Sequence, residues 1–575
     1  MSTNQNGLLN GPAQPLIIAL TLSLGLLLGR GCNDDSQHSP HNDNRISHIL
    51  NQIEVLYVDS IDRESLIDVA VQSIVQELDP HTNYFTSEDI LANASLMEGN
   101  FEGIGVEFII RDDTLMVVNA IPGGPSESAW IKAGDRIVEV EGESISGPFL
   151  TNERVMKLLK GPRGTQVDLG IARNSNAHVD HDSSIEDIIK VAIKRARIPI
   201  HSVVASFVLE NSVGYIKVIR FSATTATEFE QSMIDLAKQG ATSVIVDLRG
   251  NGGGYLHSAT DMIDRFLDEG LGIVYTEGKA SPRINYNSTY RGEYSSWPIA
   301  VLIDENSASA SEIFAGALQD NDRGLIVGRR SFGKGLVQEE FSVPNALSGA
   351  GALRLTVARF YTPSGRAIQK PYGAGVDYAN DYQNRIASGE LFLADSIQHS
   401  DTLAYSTLLG RKVYGGGGIT PDVFIPLDST QSSRALAELV WTGALRDASF
   451  TWVDLHRDEN LKNNLSETSS IWTHPKKGGL STIKKVAERQ GTVWPDKSSE
   501  EGREEIERIM VRFFAQVVRN VKGENAYHKV RTSGDAFVER ALYELLVDDR
   551  FGTREGRVYL LQNDSTMSNQ NLNMY

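Results

Sequence analysis

Residues 306–338 read NSASASEIFAGALQDNDRGLIVGRRSFGKGLVQ, and the reading of the remaining sequence turns on them. Ser307, Ser309 and Ser311 alternate with alanine. Ile313, Phe314, Ala317 and Leu318 follow at helical spacing, which predicts a helix starting near Ala310. A serine at that start sits beside backbone N–H groups the helix leaves unpaired and beside the positive end of its dipole. Those groups suit a developing oxyanion. They equally suit a plain cap, because Ser309 with Glu312 fits the S-x-x-E capping box. Chemistry alone does not choose among the three serines.

Lys334 stands between two glycines, with Leu325, Ile326, Val327, Phe332, Leu336 and Val337 nearby in sequence. A Ser–Lys pair is one variant of serine hydrolase chemistry. The lysine must then be neutral, and at pH 7 only about one free lysine in 2500 is. Burial among apolar neighbours lowers the pKa and makes a base of it. Gln338, four residues on, is spaced to reach the amine. The rival for 328–334 is a phosphate-binding loop, G-x-x-x-x-G-K. Its eighth position should be Ser or Thr and is Gly335, and LVQEEFSV reads as a strand rather than a helix.

The S-A-S-A-S run, the F-G-K-G segment and the glutamine four residues after its lysine resemble the C-terminal-processing peptidases, also called tail-specific proteases. The likeness runs from about Leu78 to Pro426. It implies Ser309 as nucleophile, Lys334 as general base and Gln338 as the group that orients the base. It also implies a crotonase/ClpP-like α/β protease core at 198–430 that needs no metal or other cofactor. The stretch SVIVDLR followed by Gly250-Asn251-Gly252-Gly253-Gly254 is a strand, a glycine loop and a helix start, an arrangement that binds anions through backbone N–H groups. The resemblance implies that Gly252 or Gly253 joins the N–H of Ala310 as the oxyanion hole, and does not separate the two glycines. A dinucleotide loop is excluded because Tyr255 stands where the last glycine of G-x-G-x-x-G belongs.

Residues 99–175 look like a PDZ domain. Gly103, Ile104, Gly105 and Val106 form a glycine loop entering a strand, able to present N–H groups to a peptide carboxylate while the strand edge pairs with an extended tail. VMKLLKGPRGTQVDLGI supplies the expected helix, turn and last strand, and 174–187 is a polar loop. The resemblance implies apolar C-terminal tails as the partners. Residues 36–98 form a small helical region in which Asp79-Pro80-His81 reads as a turn. Residues 431–575 form a C-terminal helical domain with a polar tail. Asp320 reads as a surface acid at a helix end, with an orienting role as the alternative. Thr362–Arg366 and 415–423 are family features with no role derivable from sequence.

The 575 residues carry a net charge of −19, which argues against nucleic acid, and the single cysteine excludes an intrachain disulfide. Residues 15–29, PLIIALTLSLGLLLG, are apolar and uncharged, and 1–35 reads as a signal peptide or membrane anchor. Cys32 follows a poor lipidation motif. The fold class expected is therefore a multidomain α+β and α/β chain: a helical N-terminal region, a PDZ domain, a protease core and a helical C-terminal domain. The function expected is a serine endopeptidase that binds protein tails, on the periplasmic side of a bacterial inner membrane and open to homo-oligomerisation. A catalytically silent PDZ scaffold or chaperone is the alternative. A thioester-handling acyl-transfer enzyme of the crotonase type is a third reading, weakened by the PDZ and membrane segments.

Overall fold

The computed structural model describes residues 45–173, 188–289, 292–343, 351–428, 433–456, 475–489, 491–547, 550–554 and 556–561. The apolar run at 15–29, Cys32, the polar loop at 174–187 and the tail from 562 onward lie outside the described residues. No helix among the described residues is long and apolar enough to cross a membrane. The chain divides into two units, 1–77 and 78–575.

The first unit holds the helices Arg45–Leu56 and Arg63–Gln76. Asp62 caps the second, its carboxylate accepting from the Glu64 N–H at 3.1 Å.

In the second unit the largest core cluster lies on a six-stranded sheet. Val203–Val208 runs antiparallel to Val213–Val218, and then Ser243–Asp247, Ile299–Ile303, Leu325–Gly328 and Val423–Phe424 follow in parallel order. The central strands are buried on both faces and mostly apolar, with Ser243 and Asp247 at the two ends of one of them, as parallel strands between layers must largely be. Alternate residues serve opposite faces. Val244, Val246, Val301 and Ile303 pack against the helices Thr225–Lys238, Leu256–Asp264 and Ala310–Asp320. Ile245, Ala300 and Leu302 pack with Val538 and Ala541 of the helix Ala536–Leu546. A C-terminal helix therefore covers the far face of the core within this same chain.

A second sheet lies beside it. Gly351–Tyr361 is its centre, flanked by Leu336–Val343, Asn83–Phe85 and Gly272–Glu277. The pairing of Leu336–Val343 shifts register between Val337 and Gln338, so Val337 faces Ala358 while Gln338 faces Thr356. A bulge of this kind re-aims a side chain.

The PDZ sheet runs in the order Val106–Arg111, Thr114–Ala120, Arg136–Val140, Gln166–Ala172, Ile188–Lys194. The sequence reading ended it at the fourth of these. The fifth strand pairs antiparallel with the fourth along its whole length, and the intervening polar residues had disguised the continuation. Helix Asn152–Leu159 buries Val155 and Leu159 under the sheet. The helices Arg434–Trp441, Ala444–Leu455, Pro475–Arg489, Glu500–Lys522 and Glu524–Thr532 form a separate core.

Candidate active site

Strand Ile299–Ile303 delivers the chain to the serine run, and the three serines part company there. Ser307 and Ser311 are fully buried. The Ser307 hydroxyl donates to the Leu248 carbonyl and that of Ser311 to the Asn251 carbonyl, both at 2.9 Å. Only Ser309 lines the cavity above the sheet. Its backbone lies at φ 56° and ψ −113°, a conformation that costs a non-glycine residue about 1–3 kcal/mol. The helix Ala310–Asp320 starts directly after it.

Lys334 and Gln338 line the same cavity, of about 670 Å³. Lys334 sits in the loop before strand Leu336–Val343, which excludes the strand-to-helix geometry of a phosphate loop. Its amine donates to Gln338 Oε1 at 3.0 Å. Burial is the first cause lowering its pKa, and the Arg354 guanidinium adds to it. Gly252 and Gly253 line the cavity as well. A Cβ on Gly253 would come within 2.7 Å of both Ser309 Cβ and the Ala308 carbonyl, so that position tolerates only glycine. The Gly253 N–H donates to Asn251 Oδ1 at 2.9 Å. Among the described residues the N–H groups of Gly252 and Ala310 have no hydrogen bond.

Residues 212–379 match peptidase family S41, and 116–173 match a PDZ domain. A carboxy-terminal-processing protease of Bartonella bacilliformis is 36% identical over 330 residues, which cover 56% of this chain and 72% of that one. The chain belongs to this peptidase family. It is a serine-type peptidase with a PDZ domain. The carboxy-terminal processing protease CtpB of Bacillus subtilis is 33% identical over 317 residues, 55% of this chain and 63% of its own. A solved photosystem II D1 C-terminal processing protease aligns over 67% of this chain and 88% of its own, at 25% identity and a TM-score of 0.32.

Several residues of this S41 peptidase hold the site together without having been singled out for it in sequence. Glu312 was read only as half of a capping box. Its carboxylate does accept the Ser309 N–H at 2.8 Å, but it also accepts the N–H groups of Gly333 and Lys334 at 2.7 and 2.8 Å and the Ser331 hydroxyl at 2.5 Å. One buried acid thus ties the Ser309 turn to the lysine loop. Burial raises its pKa, and these four donors pull the other way. The Asp247 carboxylate, fully buried, accepts from Lys217 at 3.0 Å and from Arg249. These cations outweigh its burial and hold its pKa far below the usual carboxylate range. Arg249 in turn grips Asp535 at 2.9 Å, joining the glycine loop to a C-terminal helix.

The reading of Asp320 as a surface acid is corrected. It is buried and bonds at 2.7 Å to Arg366, which is fully buried, and it accepts the N–H and hydroxyl of Ser364. The Thr362–Arg366 segment that had no derivable role is the other half of this pair. The turn at 79–82 is a turn as read, but it touches the site: the His81 carbonyl accepts from Gln338 Nε2 at 2.6 Å.

The PDZ loop stands apart from the cavity. Gly103 pairs with Ala196 in a two-stranded ladder, and the Ile104 side chain is core. Gly105 has φ 75°, and its carbonyl accepts from the Ile121 N–H at 3.0 Å. Val106 opens the strand Val106–Arg111, which lies at the end of its sheet.

Proposed function

We propose that the chain is a serine endopeptidase that captures protein C-terminal tails on its PDZ strand edge and cuts them with Ser309, Lys334 and Gln338. The observation that carries this is the separation of the three serines: two hydroxyls are committed to backbone carbonyls, and the third faces a cavity shared with a half-buried lysine.

The steps follow from the groups. Neutral Lys334 takes the Ser309 proton, and Oγ attacks the scissile carbonyl. The oxyanion is held by the N–H groups of Ala310 and Gly252, which are uncommitted, whereas that of Gly253 is engaged by Asn251. Gly253 serves by its close approach to Ser309. The protonated lysine passes its proton to the leaving amine, and water releases the acyl group. The cavity also has Ile313, Leu336 and Phe360 on its walls, which suits an apolar side chain beside the cut bond.

For the tail, the unpaired side of Val106–Arg111 offers a strand edge, and the loop at 103–106 enters it beside a positive-φ glycine. Gly103 is the least suited of the four, since its backbone is already paired. The apolar run at 15–29 supports an anchor in a bacterial inner membrane with the rest of the chain on the periplasmic side.

The test is incubation of the chain with an unfolded protein bearing an apolar free C-terminus, beside Ser309→Ala and Lys334→Ala, with fragments read by mass spectrometry. Cleavage by the wild type alone is expected. Tail binding without cleavage by any of the three would make the chain a scaffold.

A further inference from the structure

We propose that the turn at 79–82 is the positioning element that sets which way the Gln338 amide faces, and so where the Lys334 amine directs its lone pair. The inference rests on the reading of Lys334 as the base.

A glutamine amide has a donor end and an acceptor end, and the two occupy nearly the same shape. The His81 carbonyl only accepts. With Gln338 Nε2 2.6 Å from it, Oε1 is left to face Lys334, where it takes an amine hydrogen at 3.0 Å. A neutral amine has two N–H groups and one lone pair. Spending an N–H on Oε1 keeps the lone pair for the Ser309 proton. The opposite amide orientation would put an N–H on that lone pair and silence the base.

The turn is built to hold that carbonyl still. Asp79 Oδ1 accepts the N–H groups of His81 and Thr82 at 2.8 and 2.9 Å, and Oδ2 accepts the Thr82 hydroxyl at 2.6 Å. The His81 ring is pinned on the other side, with Nε2 2.6 Å from the Tyr378 hydroxyl and Phe332 against its edge. Burial first, then the charge of Lys334, lower the His81 pKa to about 4. The ring is therefore neutral at working pH, burial keeps the Tyr378 hydroxyl protonated, and the two share one hydrogen bond at Nε2. The strand Asn83–Phe85 leaves the turn and pairs with Gly351–Tyr361, the same strand that pairs with Gln338's own. Turn and glutamine are thus registered on one sheet.

The charged and titratable groups around Lys334 are Arg354 and Glu340 from the paired strands, Asp79 and His81 from the turn, Glu312 from the nucleophile helix, and Glu98 and His257 across the cavity. None of these is removed by Tyr378→Phe, and only the neutral imidazole by His81→Ala.

The experiment measures kcat and KM against pH for the full chain, wild type beside His81→Ala, His81→Gln, Tyr378→Phe and Lys334→Ala. His81→Ala is expected to lower kcat about ten- to a hundredfold with KM little changed. It should also move the acid limb of the profile upward, because a loosened turn lets water reach the amine. His81→Gln offers an acceptor to Tyr378 and should recover most of the rate. Tyr378→Phe loses one hydroxyl, keeps the fold if His81→Ala does not, and should shift the limb the same way. Activity that survives Lys334→Ala sinks the reading of the site itself. Activity abolished by Lys334→Ala but unaltered in rate and limb by Tyr378→Phe and both His81 variants overturns this inference alone. So does a loss of rate with an unmoved limb that His81→Gln fails to rescue.

Discussion

The cavity around Ser309 and the loop at 103–106, the two places proposed to meet a peptide, are held in different ways. Around the Ser309 cavity the loops are fixed by buried charged and amide side chains: Asn251 under the glycine loop, Asp247 at its root, Glu312 between the serine and lysine loops. At the PDZ loop the amides sit at the open end of a sheet, anchored by Ile104 in the core and by carbonyl contacts to Ser126 and Ile121. The first arrangement fixes geometry before any ligand arrives, as transition-state stabilisation requires. The second leaves one strand edge without a partner strand among the described residues, which on the proposed function suits recognition of varied sequences.

The sharpest way to break this contrast is at its centre. Ser309→Ala should lower kcat by about 10⁴-fold or more while leaving tail binding to the PDZ edge intact, as read by peptide turnover and calorimetry. Loss of both together would mean the two regions are one. Next, Glu312→Ala removes the shared acceptor of three N–H groups and of the Ser331 hydroxyl. It should cost about 3 kcal/mol or more of stability in denaturant melts and drop turnover about a hundredfold. A folded, fully active variant would show that the cavity needs no such fixing.

The pH profile sharpens the same point. A lysine base works only when deprotonated, so kcat/KM should rise about tenfold per pH unit up to the lowered Lys334 pKa and then level, below the range of a free lysine. A flat profile from about pH 5 to 9 with chemistry rate-limiting would remove lysine from the role. On the PDZ side, Val106→Pro removes one edge N–H and should weaken binding of an apolar-tailed peptide about tenfold by calorimetry. An unchanged Kd would move the tail elsewhere.

The smallest effect is in stability. The folded Lys334 pKa is below its unfolded value, so the unfolded chain binds the additional proton. This group's stabilising contribution is present above about pH 10.4 and is lost as pH falls through the folded value. Lys334→Met should therefore be inactive yet about 0.5–2 kcal/mol more stable at pH 7, an advantage that fades in alkali.

What sequence made legible follows the range of each interaction. The helix after Ser309, the strands of the parallel sheet and the glycine loop are local patterns, and they were readable. The choice of Ser309 over its neighbours was carried by resemblance, because the carbonyls that occupy Ser307 and Ser311 belong to Leu248 and Asn251, about sixty residues away in sequence. Glu312 was half-read: the capping bond to Ser309 is local, and the bonds to 331–334 are not. Asp320 was misread because a helix end is commonly exposed, and its partner Arg366 lies 46 positions on. His81 meets Gln338 across 257 positions, which no periodicity announces.

The pairing of Arg249 with Asp535 spans 286 positions and carries a consequence in time. Synthesis runs from the N-terminus, so the glycine loop, the serine and the lysine are all made before the residue that anchors the loop from behind. A growing chain holds Ser309, Lys334 and Gln338 while one support of the glycine loop is still to come. On the proposed function, the geometry of the cutting edge is complete only once Asp535 has been made and has met Arg249.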